Sequence, residues 1–262
     1  MKKIIVYLSL FAASWLLMIA CKKETKLTAD FSTTENSAFL RVIQASPYFR
    51  NVFNAPDSFN VYVNSAKVNA SFLTYASIFP ASGTNNGYIA VTPGLQQIKM
   101  SIHGFTTGKP DSTQLINFTK VFLTGQYYTL LVTDSIKSLR DSSQMFLLDK
   151  YTTPTLGNYS LRFVHAVLND TLGMNVDIFS TRRNGNIFSN IKPGTVSGFS
   201  TLPYNTQLND TLFVRRTGTL NNLTSINNIG FSNQRVYTLY YRGDAILTSG
   251  TKARLLTTYI HQ

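Results

Sequence analysis

The chain has 262 residues, a formal net charge of +12 from 24 Lys and Arg against 12 Asp and Glu, and one cysteine. A single thiol excludes a disulfide framework and any zinc or redox centre built on several cysteines, so a chain of this length has to be held by hydrophobic cores. Charged residues are only 14% of the whole, while Tyr, Phe, Thr, Asn and Ser abound, a balance that points to β-structure and away from helical bundles.

Met1-Lys2-Lys3 leads into an apolar run from Ile4 to Met18. At about 1.5 Å per residue such a run reaches roughly 22 Å as a helix, short of the ~20 residues that span a bilayer and suited to a signal-peptide core. The run ends in Met18-Ile19-Ala20-Cys21, which resembles the lipobox of bacterial lipoproteins. That resemblance implies cleavage after residue 20 and acylation of Cys21, with no cofactor besides the lipid. Two or more acyl chains would hold the protein at a membrane, where one gives only marginal binding. An uncleaved anchor and cleavage after Ala20 into a soluble protein are the alternatives. Cys21-Lys22-Lys23-Glu24 is similar to the start of Bacteroidetes lipoproteins, which implies an outer-membrane location, either facing the periplasm or exposed at the surface. Removing 1–20 takes Lys2 and Lys3 from the twelve net charges and leaves +10. Residues 21–37 are polar and Thr/Ser-rich, and read as a lipidated tether.

After the tether the chain repeats itself. Phe39–Ala45 matches Ser160–Ala166, Asn60–Val63 matches Asn175–Ile178, and Gly87–Pro93 matches Gly198–Pro203. Tyr128–Val132 then matches Tyr237–Tyr241, and Leu147–Tyr151 matches Leu255–Tyr259. Five matches in order define two units, 38–150 and 158–262, joined by a linker over 151–157. Short β-type runs alternate with Gly, Pro and Asn punctuation, and no window after the leader keeps a helical period. The reading is all-β: two tandem immunoglobulin-like antiparallel β-sandwiches of roughly seven strands each, behind a signal peptide and polar tether.

Leu40-Arg41-Val42-Ile43-Gln44-Ala45-Ser46-Pro47, followed after a gap by Phe59-Asn60-Val61-Tyr62-Val63-Asn64, resembles the opening of the family known as domain of unknown function 4397. The second unit keeps His165-Ala166 and Asn175-Val176-Asp177-Ile178-Phe179, a weaker likeness. The resemblance implies exported immunoglobulin-like sandwiches and supplies no activity.

The three histidines, His103, His165 and His261, show no metal-ligand spacing, so no metal is expected. His165 stands where the first unit has Gln44 and reads as a strand-end residue hydrogen-bonding a loop; His261 lies one residue from the end. Both glutamates beyond the leader, Glu24 and Glu35, lie in the tether, so a glycoside hydrolase would have to use two aspartates. The nine aspartates of the two units sit mostly in turn-like contexts, where Asp bonds nearby backbone. No P-loop or Gly-x-Ser-x-Gly elbow occurs. The second unit carries eight arginines, among them the pair Arg182-Arg183, candidate contacts for an anionic glycan or envelope component. Tyr48, Phe49 and Phe53 follow Pro47 in an insertion that the second unit lacks, and form a candidate ligand-binding loop. The expectation is a membrane-anchored, non-catalytic binding or adhesion module whose partners are a glycan or an envelope protein, not nucleic acid. The alternatives are a structural component of a surface assembly and, last, an Asp-dependent hydrolase.

Overall fold

A computed structural model describes residues 36–47, 58–81, 87–102, 114–133, 144–170, 174–205 and 209–261. The described residues are all strand and loop. In chain order the strands are β1 (Ala38–Gln44), β2 (Phe59–Val63), β3 (Ala66–Lys67), β4 (Ile78–Phe79), β5 (Ile89–Val91), β6 (Gly94–Ile102), β7 (Gln114–Phe122), β8 (Tyr127–Val132) and β9 (Met145–Leu148). They continue as β10 (Asn158–His165), β11 (Val176–Ser180), β12 (Gly185–Ile191), β13 (Ser200–Pro203), β14 (Asp210–Arg216), β15 (Asn222–Ile229), β16 (Val236–Arg242) and β17 (Leu255–Ile260).

These strands make four sheets. An outer sheet of order β3-β2-β6-β7 faces an inner sheet of order β4-β1-β8-β9, with β5 also paired to β1. The second half repeats the plan, with β12-β11-β14-β15 outside and β13-β10-β16-β17 inside. Pairing is antiparallel throughout, except that β1 runs parallel to β8 and β10 runs parallel to β16. Tight hairpins use residues that tolerate positive φ, such as Asn64 and Ser65 between β2 and β3 (φ 46° and 69°).

Three cores hold the sheets. Leu40, Val42, Phe59, Val61, Ile98, Met100 and Leu130 fill the first sandwich. Leu161, Phe163, Val176, Ile178, Leu212, Val214 and Leu239 fill the second. A third core lies between the two inner sheets: Ile43, Ala45, Leu131, Met145 and Leu147 meet Val164, Ala166, Tyr240 and Tyr259. Thr34–Gln262 accordingly forms one compact unit. The inner strands are covered on both faces, which is why β1 and β10 read as nearly continuous apolar runs instead of alternating ones.

The internal repeat maps onto this plan. Leu40 lies opposite Tyr128 and Ile89, and Leu161 opposite Tyr237 and Ser200, the same register in both halves. The match of Leu147–Tyr151 with Leu255–Tyr259 is out of step by four residues. Thr129 pairs with Leu147 while its counterpart Thr238 pairs with Tyr259, so Tyr259 takes the place of Leu147, and His261 that of Asp149. The twin leucines of the two edge strands suggest one alignment; the side chain that fills the shared core sets another.

Candidate functional site

The β11–β12 hairpin turns through Thr181-Arg182-Arg183-Asn184, with Asn184 at φ 50°. Asp210, buried at the start of β14, fastens this turn. Its Oδ2 accepts the Ser180 hydroxyl at 2.5 Å, and its Oδ1 accepts the Thr181 hydroxyl and the Arg182 backbone N–H, both at 3.1 Å. Ser180 Oγ in turn accepts the Arg183 backbone N–H at 3.1 Å. Both arginine side chains are exposed and line a cavity of about 290 Å³ with Tyr159, Tyr204 and Phe231. Phe231 stacks on Tyr159 at 4.7 Å and 11°, and the Arg183 guanidinium donates to Pro203 O at 3.4 Å. Burial raises the Tyr159 pKa against the opposing pull of Arg183, so its phenol stays neutral. Two guanidinium forks against one fully engaged carboxylate give a positive, aromatic-walled recess suited to a planar anion.

The second concentration of chemistry lies between the inner sheets. Arg162 on β10 meets Asp149, just past β9, at 2.5 Å, with side chains 4% and 0% exposed. An arginine can only donate and a carboxylate beside it only accepts, which settles the direction of the surrounding bonds. Arg162 Nε donates to Thr238 Oγ1 (3.1 Å), Thr238 to His261 Nε2 (2.7 Å), His261 Nδ1 to Tyr88 Oη (2.8 Å), and Tyr88 to Asp149 Oδ2 (2.8 Å). Arg162 Nη2 closes the ring on Asp149 Oδ1, and the Thr129 hydroxyl adds a 2.5 Å bond to Oδ2. The ring needs a neutral His261 with its proton on Nδ1. Burial, reinforced by Arg162 and Arg41, holds the His261 pKa well below the ordinary imidazole value. Arg41, the counterpart of Arg162, lies over the rings of Tyr88 (4.2 Å) and Tyr259 (4.9 Å).

Arg182 and Arg183 thus share one recess, whereas Cys21, Tyr48, Phe49 and Phe53 lie outside the described residues. His165 bonds the loop after β12 through its backbone, as read, while its buried ring interacts with the Met174 backbone of a second loop and has Asp170 Oδ2 3.6 Å away. Burial lowers its pKa to about 4, against the partly opposing Asp170. All five described aspartates, Asp149, Asp170, Asp177, Asp210 and Asp244, are buried; Asp244 keeps the expected turn role by accepting the Ile246 backbone N–H at 2.8 Å, while Asp177 and Asp210 lie in strands. Asp177, for instance, accepts the Asn190 backbone N–H at 2.8 Å and the Thr217 hydroxyl at 2.8 Å. Asp177 and Asp210 each fasten a loop or turn to a strand, because a carboxylate can collect several donors at once.

Sequence reasoning missed the ring of Arg162, Asp149, Tyr88 and His261. A usable signal existed in Arg41 and Arg162, which stand at the same place in both repeats as lone cations within apolar strands. A charge in such a strand needs a buried partner.

Among curated proteins none matches the chain at a significant level. Solved structures give distant resemblances. A candidate adhesin from Bacteroides ovatus has 10% identity over 86% of this chain and 95% of its own, with a TM-score of 0.21. The TIE protein of Bacillus anthracis has 10% identity over 86% of this chain and 44% of its own, with a TM-score of 0.23. A family 26 carbohydrate-binding module from Eubacterium rectale, solved with maltoheptaose, has 12% identity over 84% and 96%, with a TM-score of 0.21. Likeness at this level assigns no ligand. The model for the family described as Domain of unknown function (DUF4397) matches residues 38–171, slightly more than half of the chain, taking in the first sandwich and β10. The chain belongs to this DUF4397 family.

Proposed function

We propose that the protein is a non-catalytic binding module of the bacterial cell envelope that takes an acidic glycan at the Arg182–Arg183 recess. The observation that carries this reading is the hairpin fastened by Asp210, which presents two guanidinium groups beside Tyr204 and Phe231. A carboxylate, sulfate or phosphate on a sugar would meet the arginine forks, and the sugar's C–H face would pack on the aromatic wall. The +6 balance of residues 158–262 would draw such a polymer in. A binding role, not hydrolysis, is favoured because the buried Asp149 and Asp210 have their oxygens engaged by structural donors.

Anchoring at the outer membrane through Cys21 belongs to the same proposal and rests on the sequence Met18-Ile19-Ala20-Cys21. Incorporation of a palmitate analogue that persists in Cys21→Ala would contradict it. For the glycan, an array of acidic and neutral polysaccharides probes the site. Binding to acidic members should fall about tenfold or more, some 1.4 kcal/mol, in Arg182→Ala/Arg183→Ala. Unchanged binding by that variant would sink the assignment.

A second reading, attachment to another surface protein, draws on Leu95 and Val121. They are cross-strand partners on the outer sheet, 68% and 56% exposed, with Leu123 (58%) just beyond β7. Loss of surface-complex copurification in Leu95→Lys/Val121→Lys would favour it.

A further inference from the structure

A cavity of about 520 Å³ opens where the two inner sheets end, lined by Gln126 and Tyr127 before and at the start of β8, by Asp149, Lys150 and Tyr151 after β9, and by His261 after β17. Its size falls within the roughly 300–1,000 Å³ of small-molecule sites. Both halves of the chain contribute to it, and Tyr151 belongs to the segment that joins them.

The two halves match at several places along this seam and differ at others. Arg41 and Arg162, Thr129 and Thr238, Ile43 and Val164, and Ala45 and Ala166 are counterparts of the same kind, while Leu131 and Leu147 stand where the second half has Tyr240 and Tyr259. Around the cavity, Gln126, Tyr127, Tyr88 and Asp149 stand where the second half has Arg235, Val236, Phe199 and His261. The second half builds the same sheet end with Val236 and Phe199, so packing alone does not demand the first half's phenols and amide.

We propose that this cavity is a second ligand site, taking a neutral sugar unit of an oligosaccharide. Its floor is saturated: Asp149 accepts from Arg162, Tyr88 and Thr129, and both His261 nitrogens are engaged, so neither is free to ligate a metal. The Asp149 charge is already met by Arg162, and the absence of aliphatic side chains from the described lining disfavours a lipid tail. The walls alternate half-buried phenol rings, Tyr127 and Tyr151, with the Gln126 amide and the Lys150 ammonium. An amide both donates and accepts, which suits hydroxyl groups, and phenol faces pack on the C–H faces of a pyranose. The site stands independently of the arginine recess.

The test is calorimetric titration of the full chain with neutral gluco-, manno- and xylo-oligosaccharides, and of variants whose melting temperature matches the parent. At least one oligosaccharide binds, and Tyr151→Ala and Gln126→Ala each weaken it about tenfold or more while Arg183→Ala leaves it unchanged. Gln126 is a half-exposed loop residue, so its variant retains the fold even where removal of Tyr151 disturbs it. The proposal is overturned if no member of the panel binds at about 10 mM, or if Gln126→Ala binds as tightly as the parent.

Discussion

Replacing Arg162 by Met is the sharpest perturbation of the seam between the two sandwiches. The substitution keeps an apolar stem of similar length and removes the guanidinium. Asp149, with a fully buried side chain, then loses its cation. Thr238 Oγ1 and Leu148 O lose their Arg162 donors as well, and the Tyr259 hydroxyl loses a 3.3 Å contact. Breaking one side of a buried pair costs about 3–5 kcal/mol, because a charge is left without compensation in a low-dielectric interior. Urea unfolding at pH 7 measures the loss. Arg162→Met with Asp149→Asn removes both charges, so the double variant should be more stable than the sum of the single losses predicts, with a coupling of about 2–3 kcal/mol. A loss under about 1 kcal/mol in Arg162→Met, or strictly additive losses, would refute the reasoning.

Acid should weaken the fold between pH 6.5 and 4. His165 holds a pKa of about 4 where the unfolded chain has 6.5, so between those values the unfolded state binds a proton that the folded state refuses. Stability is level above pH 6.5 and falls by about 3 kcal/mol from His165 as pH drops to 4, with a loss of the same sign from His261. Denaturant midpoints across that range check it, and His165→Gln, the residue of the other half, should flatten the profile. Asp210→Ala separates charge from position at the arginine recess. Removing a negative charge should tighten anion binding, but releasing the hairpin should weaken it, and we expect acidic-glycan affinity to fall about three- to tenfold. Gly243→Ala should cost about 3 kcal/mol or more in thermal melts, because φ is +115° and a Cβ would come within 2.2 Å of the Ala253 carbonyl oxygen.

Strand content and the internal repeat were readable in the amino-acid order, because β1 and β10 share Leu-Arg, and β8 and β16 share Tyr-Thr-Leu, at the same register. The shared third core was not. Alternation marks a face that meets solvent, and strands covered on both faces carry no such mark. The parallel β1–β8 and β10–β16 pairs were hidden for a related reason, since side-chain pattern says nothing about strand direction. His261 stands one residue from the end of the sequence, and β17 carries it into the seam, where both nitrogens are bonded. The arginine pair was visible as charge. What made it a recess was not, because Tyr159, Tyr204, Asp210 and Phe231 come from separate stretches that only the sheet ends bring together.

The central claim is that the Arg182–Arg183 recess recognises the acidic group of a glycan. The most direct measurement compares, by calorimetry, the affinity of the chain for an oligouronate and for the same oligosaccharide with its carboxylates reduced to alcohols. The account predicts about tenfold or tighter binding of the acidic form, a difference that Arg182→Ala/Arg183→Ala abolishes. Equal affinity for the two forms, or a preference that survives loss of both arginines, would contradict it.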